Sequence, residues 1–100
     1  MMLSITENQP PLTVVIKVAI IEDLREVREG LAMLINGTHG FLCVGRFRSM
    51  EEAIANLNRE QPDVVLTDIG LPGMDSIEGI KILREKFPAL PCIALTAFVP

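Results

Sequence analysis

The chain has 100 residues, of which 49% are apolar, and its formal net charge is −4. This length corresponds to one small domain, and the apolar fraction is sufficient for a core with little surplus. An acidic surface without a basic run, Trp or Tyr does not attract nucleic acid by itself. No stretch reaches the ~18 apolar residues of a membrane span, because Lys17 and the pair Glu22-Asp23 interrupt the best candidate.

Residues 1–13 are predicted to form a polar, extended leader before the first strand. The opening residues contain no basic region and no small-residue cleavage site, so we do not expect a signal peptide. Cys43 and Cys92 each lie inside an apolar, strand-like segment, which is typical of buried free thiols in an intracellular chain. We therefore expect a cytoplasmic protein.

Short apolar runs that predict buried strands alternate with segments of helical periodicity. The predicted strands are residues 14–21, 41–47, 64–67 and 92–96. Strands that alternate with helices through short loops predict right-handed crossovers and a parallel sheet with helices on both faces. Residues 14–100 are expected to form this one domain, with the two cysteines on strands that are not adjacent.

The first predicted helix runs from about Leu24 to Asn36, with Asp23 as its N-cap and Gly37 as its stop signal. Four apolar residues recur at helical spacing and are expected to face the core: Leu24, Val27, Leu31 and Leu34.

The second and third helices have clearer start signals. Ser49, with Glu52 three residues later, predicts a capping box. The third helix is predicted from Ser76 to about Phe87 and is ended by Pro88. The residues expected to face inward are Ala53, Ile54 and Leu57 in the second helix, and Ile77, Ile80, Leu83 and Phe87 in the third.

Acidic side chains stand where two of the predicted strands end. Glu22 and Asp23 follow the first strand, and Asp68 follows the third. The carboxyl ends of parallel strands meet at one edge of a sheet, where α/β proteins place their ligand sites. Three clustered carboxylates repel one another unless a hard cation lies between them. The pattern predicts a Mg2+ site with a carboxylate that can accept a phosphoryl group.

Each of these signals also has a structural explanation. Asp23 alone is equally well explained as an N-cap, Thr96 as a β-branched strand residue, and Asp75 as a cap or a solvated side chain. Their combination is more specific, because the acidic pair, Asp68 and the Thr96 hydroxyl are all expected at the same edge of one sheet.

From about Lys17 to Pro100 the chain resembles the receiver domain of bacterial two-component response regulators. The spacing from Asp68 to Thr96 and the loop from Asp68 to Asp75 are most similar to the NarL/FixJ (LuxR-type) subgroup. The resemblance implies a flavodoxin-like, CheY-like α/β fold. It also implies that this chain is incomplete, because a full receiver continues through a fourth helix, a fifth strand and a fifth helix.

The resemblance also implies roles for individual residues. Asp68 is expected to be the phosphoacceptor, and Glu22, Asp23, Asp68 and the Gly70 carbonyl to hold Mg2+. Thr96 corresponds to the switch hydroxyl, and the small side chain of Ala97 leaves its approach open. Gly70 and Phe98 occupy positions that tune hydrolysis of the acyl phosphate.

The implied function is a signalling switch that is not an enzyme beyond its own phosphoryl transfer and hydrolysis. A sensor histidine kinase is the expected phosphodonor. Output through a partner or an appended DNA-binding domain outside this chain would serve transcription regulation. The alternatives are a pseudo-receiver that acts only as an interaction module, and a phosphatase of the haloacid dehalogenase kind. That phosphatase requires an aspartate where this chain has Gly70.

Two departures from the family matter. Ser76 stands where the family usually has glycine, and we expect it to cap the third helix. The lysine of the fifth strand, which neutralises the phosphoryl group, has no counterpart in this sequence. Without a fifth strand, strand four is expected to be an open edge beside uncovered apolar sheet, which favours self-association.

Overall fold

The fold is a four-stranded parallel sheet with helices on its two faces. A computed structural model describes residues 14–69 and 76–95. Within these ranges the elements are β1 (Ile16–Ile21), α1 (Arg25–Asn36), β2 (Phe41–Phe47), α2 (Met50–Glu60), β3 (Val64–Asp68), α3 (Ser76–Lys86) and β4 (Cys92–Leu95). The strand order is β2-β1-β3-β4. The predicted α/β class and parallel sheet are confirmed.

The strand order changes direction at β1. The chain first crosses from β1 to β2 on one side, and then returns to place β3 on the other side of β1. In this type of sheet the crevice beyond the carboxyl ends of the strands at such a reversal is the usual ligand site. The carboxyl ends of β1 and β3 are therefore the part of the fold that positions a site.

The larger core lies between the sheet and the helices α2 and α3. Its buried members are Ala19, Ile21, Phe47, Met50, Ala53, Leu57, Val65 and Leu83. Side chains alternate along a strand, so Val18 and Ile20 point to the opposite face, where α1 packs. Both are almost completely buried, which explains why β1 is apolar along nearly its whole length.

The start of α2 confirms its predicted cap. The Glu52 N–H donates to Ser49 Oγ at 3.1 Å. The Glu52 carboxylate accepts from the Arg48 N–H at 3.0 Å, one residue before the Ser49 N–H that a regular capping box would use. The predicted inward face is also confirmed, because Ala53 and Leu57 are buried and Ile54 packs against the core.

The predicted N-cap of α1 is wrong. The helix begins at Arg25, and Leu24 holds the cap position without a side-chain cap bond. The Asp23 carboxylate instead lies with the other acidic side chains, and Glu22 Oε2 accepts the Leu24 N–H at 3.1 Å. Gly37 ends the helix as predicted, in a right-handed conformation with φ −83°.

The predicted inward face of α1 is also wrong for most of its residues. Leu24, Val27 and Leu34 are exposed, Leu34 at 69%, whereas Ala32 is buried. On the same side of the sheet, Ile93 of β4 is 50% exposed. The reason is that α1 packs against β1 and β2, and no helix among the described residues covers the sheet beyond it.

The third helix starts at Ser76 as predicted and ends one residue early, at Lys86. Leu83 is buried, and Ile80 and Phe87 pack against the core. Ile77 is exposed, contrary to the prediction. Gly79 is buried instead, since only a residue without a side chain fits against Met50 of α2.

Strand boundaries differ from the predictions by one or two residues. Exposed Val14 and Val15 precede β1, and β3 extends to include Asp68. Cys43 and Cys92 lie on β2 and β4, which are separated by two strands, so their predicted placement on strands that are not adjacent is confirmed. Both thiols are half-buried, less than predicted.

The predicted leader, residues 1–13, lies outside the described residues, as do residues 70–75 and 96–100. Across the parts that the structure does describe, no helix has the length and apolar character that crossing a bilayer requires.

The contact between α2 and α3 gives a test of the packing. A Cβ at Gly79 would lie 2.3 Å from Met50 Cγ, and Met50 is fully buried. Overpacking of this kind costs about 1–3 kcal/mol, which exceeds the gain of about 1 kcal/mol from replacing a helical glycine. We expect Gly79→Ala to lower the free energy of unfolding. A urea titration monitored by circular dichroism measures this change.

The matched control is Gly30→Ala, because a Cβ at Gly30 in α1 meets nothing within 4 Å. This substitution should stabilise the protein by about 0.5–1 kcal/mol. Equal stabilisation of both variants would contradict the close approach of α3 to Met50.

Candidate metal centre

Three carboxylates meet at the edge of the sheet where β1 and β3 end. Glu22 and Asp23 follow the last residue of β1, and Asp68 is the last residue of β3. One oxygen from each side chain lies within 4.8 Å of the other two. Glu22 is only 6% exposed, and Asp23 and Asp68 are half-buried. The structure therefore brings together the three acidic residues that the sequence singled out.

Strand pairing explains why these residues meet. Ile21 of β1 is the register partner of Thr67 of β3, and both are fully buried. The residue after each of them, Glu22 and Asp68, is therefore at the same level of the sheet. A shift of one residue in this pairing would move every side chain of one strand to the other face.

The loop that carries the acidic pair is held by several hydrogen bonds. The Glu22 N–H donates to the Phe47 carbonyl at 2.8 Å, which extends the pairing with β2 beyond the end of β1. Arg28 of α1 donates from Nη1 to the carbonyls of Glu22, at 2.9 Å, and of Asp23, at 3.4 Å. The sequence interpretation did not include Arg28. Its position in the first turn of the helix that follows the acidic pair was the available signal.

The protonation of Glu22 reflects its surroundings. Burial raises the pKa of the Glu22 carboxyl above its ordinary value of 4.5. The hydrogen bond with Asp23 and the negative charges of Asp68 and Asp23 raise this pKa further, and the hydrogen bond from the Leu24 N–H opposes the shift. The charged form of Glu22 is therefore disfavoured unless a cation offsets it.

The donor set suits a hard divalent cation. All three side chains offer carboxylate oxygen, the ligand type that Mg2+ prefers. With Mg2+–oxygen distances of about 2.0–2.1 Å, ligand oxygens lie up to about 4 Å apart. Small side-chain rotations would bring the three carboxylates, which already lie within 4.8 Å, to this spacing. The residues present fit Mg2+, with Glu22, Asp23 and Asp68 as the groups that would hold it.

Ser76 binds the backbone at the end of β3 and does not cap α3 as predicted. The helix begins at Ser76 itself, and the buried hydroxyl donates to the carbonyls of Asp68, at 3.3 Å, and Ile69. A buried hydroxyl needs an acceptor, and these carbonyls are within its reach. The backbone of Ser76 is not in the left-handed conformation. In the described ranges, the non-glycine residue with a positive φ is Gln61.

Several predicted site residues lie outside the described residues. They are Gly70, predicted as a carbonyl ligand and hydrolysis-tuning position, the predicted switch residues Thr96 and Ala97, and the hydrolysis-tuning Phe98.

A comparison with protein families identifies the family of this chain. Residues 18–99 match the response regulator receiver domain family. The chain belongs to this family. The match begins within β1 and extends past β4, so it includes all three acidic residues of the site.

Relatives and solved structures of this receiver are response regulators. The DNA-binding transcriptional regulator NtrC of Proteus hauseri is 39% identical over 78 residues, which are 78% of this chain and 16% of that protein. RcsB from Salmonella enterica serovar Typhimurium, bound to promoter rprA in the presence of the phosphomimetic BeF3-, superposes with a TM-score of 0.77. It is 30% identical, and the match covers 82% of this chain and 42% of that one.

A LuxR family response regulator from Aurantimonas sp. SI85-9A1 superposes with a TM-score of 0.78 at 27% identity, over 85% of this chain and 61% of that one. Regulators of the predicted LuxR type are therefore among the structural neighbours. The receiver spans less than two thirds of the length of each of these three proteins.

The raised pKa of Glu22 predicts how stability depends on pH. As pH rises above 4.5, the unfolded state loses the Glu22 proton before the folded state does, so the folded state loses stability in that window. Glu22→Gln removes this loss. In EDTA, we expect the variant to gain free energy of unfolding relative to the wild type as pH rises from about 4 to 7.

The control is Glu85→Gln, which removes an exposed carboxylate from α3. The difference in free energy of unfolding between Glu85→Gln and the wild type should change little over the same pH range. If the difference in free energy of unfolding between Glu22→Gln and the wild type stayed constant with pH, the desolvation of Glu22 would be contradicted. Urea titrations at each pH measure both variants.

Proposed function

We propose that this receiver accepts a phosphoryl group on Asp68 from a sensor histidine kinase in a Mg2+-dependent reaction. The observation that carries the proposal is the grouping of the Asp68 carboxylate with those of Glu22 and Asp23 within 4.8 Å. The modification would change the contacts of the receiver with a partner or an output domain.

The chemistry matches these residue types. A carboxylate oxygen of Asp68 attacks phosphorus, a P–O bond forms, the P–N bond of the phosphohistidine breaks, and its electron pair returns to the imidazole nitrogen. Mg2+, when bound, offsets the negative charge of the carboxylates and the phosphoryl oxygens. Glu22 and Asp23 serve to hold the cation beside Asp68, and we propose the Gly70 carbonyl as a further ligand.

The proposed switch follows from the pairing of β3 and β4. Leu95 is the register partner of Asp68, and Thr96 is the next residue in the sequence. We propose that the Thr96 hydroxyl detects the phosphoryl group and that the small side chain of Ala97 leaves room for its approach. Gly70 and Phe98 are proposed to set how readily water reaches the acyl phosphate.

The output is proposed from the relatives. NtrC is named as a DNA-binding transcriptional regulator, and RcsB is seen on promoter DNA. We propose transcription regulation for the protein that contains this receiver, with DNA contact made outside this chain. The net charge of −4 agrees with a domain that does not itself bind nucleic acid. We propose a cytoplasmic location, where a histidine kinase partner and a DNA-binding output would act.

A pseudo-receiver is the second candidate, because the lysines among the described residues lie in parts of the fold other than the acidic site. Lys17 precedes the buried part of β1, and Lys81 and Lys86 are exposed on α3. A pseudo-receiver would act as an interaction module and would take up no phosphate.

Intact mass spectrometry distinguishes the two candidates. After incubation with Mg2+ and a small acyl phosphate donor, we expect one labile phosphoryl adduct on the wild type and none on Asp68→Asn, because the amide is not a nucleophile of this kind. Omission of Mg2+ should also abolish the adduct.

Asp63→Asn is the matched control, because Asp63 precedes the opposite end of β3. Asp63 Oδ2 accepts the Lys17 N–H at 2.8 Å, and an asparagine oxygen can keep this bond. The Asp63→Asn variant should be phosphorylated like the wild type. A wild type that folds and binds Mg2+ but forms no adduct would favour the pseudo-receiver.

We also propose that this 100-residue chain self-associates through the apolar surface of α1 and the neighbouring sheet. Exposed apolar side chains of Val27, Leu34 and Ile93 support this proposal. Sedimentation velocity should show a dimer at micromolar concentration, and Leu34→Lys should shift it towards monomer because a charge opposes burial.

Met33→Lys adds the same charge at the adjacent exposed position of α1 and should leave the dimer intact. A wild type that sediments as a compact monomer at all concentrations would contradict self-association.

A further inference from the structure

Arg28 binds three consecutive carbonyls of the loop that carries the acidic pair. Its backbone N–H donates to the Leu24 carbonyl at 2.8 Å, which closes the first turn of α1. Its guanidinium reaches further back, to the carbonyls of Glu22 at 2.9 Å and Asp23 at 3.4 Å. The side chain is only 15% exposed. One residue of α1 therefore contacts the carbonyl of each residue that connects β1 to α1.

We propose that Arg28 is a positioning residue for the metal site, which holds the Glu22 and Asp23 backbone so that both carboxylates point towards Asp68. The inference rests on the proposed Mg2+ site. Groups that orient metal ligands typically change metal affinity by 10–100-fold when they are removed. The contacts of Arg28 are to the backbone of the two ligand residues, so its effect would pass through their geometry.

The shape of the arginine side chain suits this task. A guanidinium is planar and presents its N–H groups in fixed directions, so it can donate to two neighbouring carbonyls at once. A lysine ammonium carries the same charge on a flexible stem without this fixed geometry. The ion pair of Arg28 Nε with Glu29, at 3.8 Å, is half-exposed on the glutamate side and contributes little by comparison.

The charge of Arg28 and its hydrogen-bond geometry predict opposite effects of its removal on Mg2+ affinity. A positive guanidinium near the site repels Mg2+, so if Arg28 acted through charge alone, its removal would strengthen Mg2+ binding. If Arg28 acts by holding the loop, its removal weakens binding. Arg28→Lys keeps the charge and loses the geometry, so it separates the two effects.

The experiment measures Mg2+ affinity of the wild type, Arg28→Lys, Arg28→Ala and Arg25→Ala by isothermal titration calorimetry. Calorimetry is suitable because the chain has no Trp or Tyr to report binding. Arg25→Ala removes an exposed positive charge from the first residue of the same helix. Thermal unfolding in EDTA sets a temperature at which every variant is folded.

We expect both Arg28 variants to bind Mg2+ about tenfold more weakly than the wild type, and Arg25→Ala to bind it equally well. Amide chemical shifts of the metal-free Arg28→Lys protein should differ from the wild type mainly at residues 22–24 and 68. A purely structural role would instead spread shifts through α1 and lower the unfolding temperature without a selective loss of affinity.

Wild-type affinity in Arg28→Lys, or tighter binding in Arg28→Ala, would overturn the inference while leaving the Mg2+ site in place. A wild type that does not bind Mg2+ would overturn the proposed site and the inference together.

Discussion

The site depends on one constraint, the parallel pairing of β1 with β3 in a single register. Ile21 and Thr67 are partners in that pairing, and both are completely buried, so neither strand can slide without moving apolar side chains to the wrong face. The residue that follows Ile21 and the residue that follows Thr67 are both acidic. The apolar core therefore determines where the carboxylates lie.

Bringing carboxylates together in this way costs stability. Burial and like charge raise the pKa of Glu22, and the loop must keep its geometry against that repulsion. The Phe47 carbonyl, the Leu24 N–H and the Arg28 guanidinium all bind this short segment. Such a site favours a cation that cancels the repulsion, which is the property a metal-dependent phosphoacceptor requires. A cation bound by these three side chains would therefore also stabilise the folded state.

The acidic residues were predictable because they are local: each follows an apolar strand, and strand ends converge in any parallel sheet. The Ser49 cap and the inner face of α2 were predictable for the same reason. The exposed face of α1 was not predictable from the sequence. Val27 and Leu34 have helical spacing, but whether they are buried depends on what packs beside them. Ser76 was misassigned because a serine near a helix start is usually a cap, whereas here its hydroxyl binds the end of β3.

By itself the sequence determined the alternation of strands and helices, the α/β class and the identity of the three carboxylates, because these follow from local periodicity and strand ends. Only the tertiary structure decided which side chains support the site. The contacts of Arg28 with the Glu22 and Asp23 carbonyls, and of Ser76 with Asp68, depend on how helices dock on the sheet. Polar groups that bind backbone carbonyls leave no periodic pattern in a sequence, so their roles become visible only when the chain is folded.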